Sequence, residues 1–212
     1  MQRKSNRNII QFNIPRFTQI SESHCGPAVI QMLLANLGIE VTQEQVADAA
    51  GVKDIIEMNG TRVDQLADAV RKLAPEASFW YKDHASLEEL VRLVGEFHYP
   101  VGVEWQGVFE DGYEIPLDFK DDETGEGDYG HYSIVTQVNQ KAELIMIADP
   151  YKDYRRQDRV FSFKTFENRW YDFNEVPDPG KRNKRVVEDY HMMFLITPGD
   201  EDFPIESGMT KY

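Results

Sequence analysis

The chain of 212 residues contains a single cysteine, Cys25. No internal disulfide can form, so nothing in the composition calls for an oxidising compartment. A surplus of positive charge is also lacking: 23 lysines and arginines stand against 37 aspartates and glutamates, a net charge of −14. That balance argues against nucleic acid or an anionic membrane surface as partner and leaves neutral or cationic ones. Long apolar runs are missing too, since none approaches the ~20 residues that a membrane span needs. The basic start, Met1 to Asn8, leads into Ile9-Ile10-Gln11-Phe12-Asn13 rather than the apolar core of a signal peptide. The expectation is a cytoplasmic protein. With no internal repeat and no linker-like stretch, 1–212 is expected to form one domain, with its core at about 15–197 and a loose, polar tail at 198–212.

What is present is ordinary globular composition, 41% hydrophobic and 28% charged. The first half carries helix signals. Pro27 to Leu37 is apolar nearly all round and stops at Gly38, which predicts a central buried helix. Thr42…Gln45, Thr61…Asp64 and Ser86…Glu89 each have the pattern of a helix start. The second half predicts strands at Ser78 to Tyr81, Pro100 to Trp105, Tyr132 to Val138, Glu143 to Ala148, Val160 to Phe163 and His191 to Thr197, with a short helix from Thr165 to Tyr171. Helices followed by strands indicate an α+β fold, a helical layer on an antiparallel sheet.

Cys25 stands in His24-Cys25-Gly26-Pro27-Ala28, at the start of the buried helix. Unpaired backbone N–H groups and the positive end of the helix dipole at such a position favour a thiolate, the nucleophilic form. The alternative is a small buried hydrophobe. A thiol nucleophile needs a base, and there are five histidines. His84 and His98 lie beside turns or helix ends, His191 has no carboxylate placed opposite, and the side chain of His24 should diverge from its neighbour Cys25. His131 opens one strand and Asp149 ends the next, with a hairpin-length turn between them. An odd loop, Asn139-Gln140-Lys141, would set His131 directly across from Asp149, close enough for the carboxylate to hold the ring. An even loop would put them on opposite faces unless a bulge restored the register. Gln19, on an extended lead-in, has an amide that could converge with the Cys25 N–H on a developing oxyanion.

Gln19…Cys25-Gly26-Pro27-Ala28 before an apolar helix, Gly130-His131-Tyr132 leading a strand, and Ala148-Asp149-Pro150 together resemble the bacteriocin-processing-type, double-glycine leader peptidases of the papain-like superfamily, in their stand-alone layout. Gly60-Thr61, Tyr99-Pro100-Val101-Gly102-Val103 and Phe163…Phe166…Trp170 extend the resemblance over about Gln19 to Thr197. It implies a papain-like fold and a thiol peptidase acting on a peptide or protein, with Cys25 as nucleophile, His131 as base, Asp149 as orienter and Gln19 as oxyanion donor. An acyltransferase using the same groups and a non-catalytic peptide-binding module are the alternatives. No cofactor is expected. No metal is expected either, because Cys25, His131 and Asp149 lack paired-ligand spacing. The segment Glu104 to Asp128 holds ten acidic residues and one basic, without the spacing of a calcium loop. It is expected to be a solvated loop, or a border of the cleft that favours cationic peptides.

Overall fold

The computed structural model describes residues 13–107, 130–151, 154, 157–177, 184–201, 203 and 207–212. The part of the acidic segment from residue 108 to 128, and the basic start at residues 1–12, lie outside them. Six helices are described: α1 (Cys25–Asn36), α2 (Gln43–Ala49), α3 (Ile56–Asn59), α4 (Val63–Leu73), α5 (Leu87–Gly95) and α6 (Phe163–Asn168). The strands are β1 (Ala77–Lys82), β2 (Val101–Gln106), β3 (Gly130–Asn139), β4 (Leu144–Ala148), β5 (Arg159–Ser162), β6 (Tyr171–Pro177), β7 (Lys184–Tyr190), β8 (Met193–Pro198) and β9 (Thr210–Lys211). Seven form one antiparallel sheet in the order β5-β4-β3-β2-β8-β1-β9, and β6 pairs with β7 alone.

Two of the expected caps form as the sequence predicts. The Thr42 and Ser86 hydroxyls accept from the backbone N–H groups of Gln45 and Glu89, whose side chains accept in return from the N–H groups of Thr42 and Ser86. The start of α4 shifts by one residue, because Gln65 rather than Asp64 reaches back, to the Arg62 N–H at 2.9 Å. α6 begins two residues earlier than expected, capped by Ser162, and Tyr171 belongs to β6 instead.

Alternation along the strands divides the core between the two faces of the sheet. Phe79, Tyr132, Ile134, Ala148, Phe194 and Ile196 pack under α1, α2 and α4. Val103, Trp105, Val135, Ile147, Phe161 and Leu195 pack on the other face with α5 and α6. Helices therefore cover both faces, and β2 is buried along its whole length. Ala28, Val29, Ile30 and Leu34 of α1 are fully buried, each apolar side chain larger than alanine contributing roughly 1.5–3 kcal/mol. Within β2, Glu104 is a strand residue 1% exposed and not part of a solvated loop. In the described part of the tail, Phe203 stacks on Trp80 at 4.6 Å, and β9 pairs with β1.

Gly102 lies opposite Phe194 in the β2–β8 register, and a Cβ there would meet the Phe194 ring at 2.5 Å. That ring is fixed by stacking on Phe79 at 5.3 Å and by Tyr132 at 6.0 Å, so it has little room to yield. Gly102→Ala should lower unfolding stability by about 1–3 kcal/mol, the usual cost of overpacking, measured by urea titration. An unchanged midpoint would contradict this packing.

Candidate active site

The β3–β4 hairpin determines where His131 and Asp149 sit. Asn139 pairs with Leu144, so the connection has four residues, 140–143, an even loop rather than the odd one that would place His131 opposite Asp149. A bulge at Thr136 shifts the register between Gln137↔Met146 and Val135↔Ile147. It restores the parity that the even loop would have lost. Continuing the shifted register puts Ser133 across from Asp149, with His131 diagonal to it on the same face. The bulge is fastened by the Thr136 hydroxyl, which donates to Asp158 Oδ2 at 2.7 Å.

From this diagonal position the His131 ring donates from Nε2 to Asp149 Oδ1 at 2.8 Å. The Cys25 sulfur is a further partner of the ring. All three groups are buried. Asp149 receives two more hydrogen bonds, from the Tyr151 N–H at 2.9 Å and from Arg159 Nη1 at 2.7 Å. Arg159 is the site residue that sequence reasoning missed. It is 8% exposed and its guanidinium lies 3.9 Å from the centre of the Tyr154 ring. In the sequence it stands next to Asp158 at the edge of an expected strand, with no local sign that it would be buried.

Cys25 is placed by the packing of α1. A Cβ at Gly26 would lie 2.2 Å from Thr61 Oγ1 and 3.2 Å from the Tyr132 ring, so only glycine lets the first turn settle this closely on β3. No side chain caps the start of α1. The lead-in to the helix is tied to the same edge of the sheet by Arg16 on Asp158 at 2.7 Å and by the Gln19 N–H to Pro150 O at 2.9 Å. Gln19 is buried, but its Nε2 donates to the carbonyls of Ser21 and Glu22, at 2.8 and 3.1 Å, while Oε1 has no partner. Its donor is thus engaged by backbone.

The other histidines have different uses. His24 Nδ1 is hydrogen-bonded to Ser21 Oγ at 2.6 Å. His191 is stacked between Trp170 and Tyr190, with Nδ1 to Ala85 O at 2.9 Å. His84 and His98 are exposed. Among the described residues no three His, Cys, Asp or Glu side chains are grouped to hold a metal ion, and no helix is long and apolar enough to cross a membrane.

The electrostatics follow from burial and pairing. Burial alone would push the His131 pKa down, but the Asp149 charge and hydrogen bond, aided by Cys25, raise it to about 10. Burial would raise Asp149, but His131, Arg159 and the Tyr151 N–H bring it to about 2. The arrangement can hold an imidazolium against a sulfur, with the carboxylate fixing the tautomer.

A family model, the Peptidase_C39 like family, matches residues 11–177. The chain belongs to this family. Among solved structures, the peptidase domain of Streptococcus ComA, a bi-functional ABC transporter of a quorum-sensing pathway, is similar with a TM-score of 0.57 and 14% identity, covering 88% of this chain and 99% of that one. A double-glycine-motif protease from an AMS/PCAT transporter, solved with its leader peptide, matches with a TM-score of 0.53 and 16% identity over 89% of this chain and 94% of its own. A Bacillus anthracis protein described as a C39-like peptidase gives 0.56 and 23%, over 76% and 91%. No curated protein matches. At these identities the structural likeness speaks for the fold, a papain-like α+β peptidase fold of the C39 type.

The ion pair has a definite pH signature. Since His131 is raised above its free value of ~6.5, its contribution to stability is complete below that pH and is lost as pH rises toward about 10. Asp149, lowered to about 2, contributes above ~3.9 and loses its contribution as pH falls toward 2. The His131 ring, followed by NMR, should stay protonated to about 10 in the natural chain. In Asp149→Asn it should titrate well below that, because burial is then opposed by Cys25 without the Asp149 charge. Identical titrations in the two proteins would contradict the pairing.

Proposed function

We propose that this C39-like chain is a thiol peptidase in which Cys25, His131 and Asp149 act as the catalytic triad. The observation that carries the proposal is the buried His131 ring held between the Cys25 sulfur and the Asp149 carboxylate. The sulfur attacks the peptide carbonyl and forms an S–C bond. His131 gives its proton to the leaving amine as the C–N bond breaks. Water then attacks the thioester, giving a proton to His131, and the S–C bond breaks to release the acid product and return the thiolate beside the imidazolium. Asp149 orients the ring and stays ionised throughout. The leader peptide bound by the AMS/PCAT protease supports a peptide as the substrate class here.

The Cys25 N–H, at the uncapped start of α1, is one donor for the oxyanion. Gln19 is the second, and to serve it must release one of the two carbonyls its Nε2 holds as substrate seats. Its buried location near the Pro150 backbone keeps it close to the site while that exchange takes place.

Hydrolysis of a mixed peptide library, followed by mass spectrometry, tests this proposal. Cys25→Ala should abolish cleavage. Asp149→Asn should lower turnover by about 10⁴ through the wrong tautomer. Gln19→Ala should cost less, about 10²–10³, the loss of one oxyanion donor. Cleavage that survives Cys25→Ala, or an unchanged rate in Asp149→Asn, would overturn the assignment.

A further inference from the structure

The cleft beside Cys25, of about 580 Å³, is walled in part by polar groups of the sheet that the chemistry above does not use. Glu104 pairs directly with Tyr132 across β2 and β3, so the two side chains share one face, and both line the cleft. Glu104 is 1% exposed, and its Oε1 is held by the Asn174 amide at 3.3 Å, while Oε2 is buried without a partner. The Tyr132 hydroxyl lies close enough to act on the Glu104 carboxyl, but its proton goes to the Thr61 carbonyl at 3.1 Å. The Thr61 hydroxyl lines the same cleft, is 6% exposed by residue, and also has no partner. Asp172 of β6 brings a second carboxylate, held by Gln106 Nε2 at 2.8 Å and packed against the Cα of Gly130.

Two buried oxygens that lack donors, next to a second carboxylate and the nucleophile, call for a ligand that brings N–H groups and positive charge. Among the described residues, the cation that lines this cleft, Arg62, is already paired with Asp64 at 2.7 Å. Burial, with the charges of Asp172 and Asp189, pushes the Glu104 carboxyl well above the usual range, so an arriving cation would replace a proton there. A guanidinium binds best to both oxygens of one carboxylate, but Asn174 occupies Oε1. An ammonium, a compact charge with three donors, suits single oxygens on Glu104 and Thr61.

We propose that Glu104 and Thr61 form a binding site for a primary ammonium of the peptide substrate, a lysine side chain or a free amino terminus close to the scissile bond. The proposal rests on Cys25 being the nucleophile. Chloromethyl ketones of acetyl-lysine, acetyl-arginine, acetyl-norleucine and norleucine with a free α-amine test it, with Cys25 labelling on the full chain read by intact mass. Each rate is normalised to that of iodoacetamide, which carries no ammonium or side chain for the site to hold. Acetyl-lysine or the free-amine norleucine should react about tenfold or more faster than acetyl-norleucine, with acetyl-arginine between them, and whichever amine carrier leads identifies the source. Glu104→Gln should reduce that ratio to near one. If this variant does not fold, Thr61→Val should reduce the ratio severalfold, and the natural chain's own series still decides. Equal normalised rates for both amine carriers and acetyl-norleucine would overturn the ammonium site alone. Failure of iodoacetamide to label Cys25 would overturn the nucleophile and this site with it.

Discussion

The single extra residue at Thr136 governs the geometry of the site, because strand side chains alternate with a period of two. The four-residue turn between β3 and β4 gives a register in which His131 and Asp149 would face opposite sides of the sheet. The bulge reverses that. Its fastening matters as much as its presence: Asp158 takes the Thr136 hydroxyl with one oxygen and Arg16 with the other. One carboxylate therefore joins the bulge to the lead-in that delivers Gln19 and Cys25. The next residue, Arg159, is the partner of Asp149. The strand register, the lead-in and the orientation of the ring are thus coupled at one edge of the sheet.

The electrostatics of the His131–Asp149 pair and of the cleft beside Cys25 are opposite in kind. On the His131 side, every oxygen of Asp149 is satisfied, by the ring, the Tyr151 N–H and Arg159, so the buried charges stabilise one another. Removing one member of such a set typically costs about 3–5 kcal/mol, because it leaves a buried charge uncompensated. On the Glu104 side the set is incomplete, with an acceptor on Glu104 and a hydroxyl on Thr61 left without partners. A fold rarely leaves buried polar groups in this condition unless something else binds them. The satisfied set around Asp149 suits fixed chemistry, and the incomplete set around Glu104 suits the proposed recognition.

Much of this was legible in the sequence where local physics decides. Thr42…Gln45 and Ser86…Glu89 carry their own capping chemistry, and the apolar run after Cys25 could only be a buried helix. The contact between His131 and Asp149 was legible as a condition on loop parity, but the bulge that meets the condition was not, since it depends on Asp158, which arrives just before β5. The β6–β7 hairpin escaped because YDFNEVP and KRVVEDY mix charge into both faces and pair only with each other. Phe203 and Tyr212, in a polar tail, gain their places by packing on Trp80 and Phe79 far away in sequence. Arg159 and Glu104 were invisible as site residues for the same reason: a single charged residue beside a strand gives no local sign that tertiary structure will bury it.

The central claim is that His131 and Asp149 activate Cys25, and the lone thiol makes it directly measurable. Iodoacetamide labelling, followed by intact mass near neutral pH, reports on Cys25 and no other thiol. The account predicts that His131→Ala slows labelling severalfold or more while far-UV and near-UV circular dichroism stay native. Equal rates in the natural chain and a folded His131→Ala variant would contradict it.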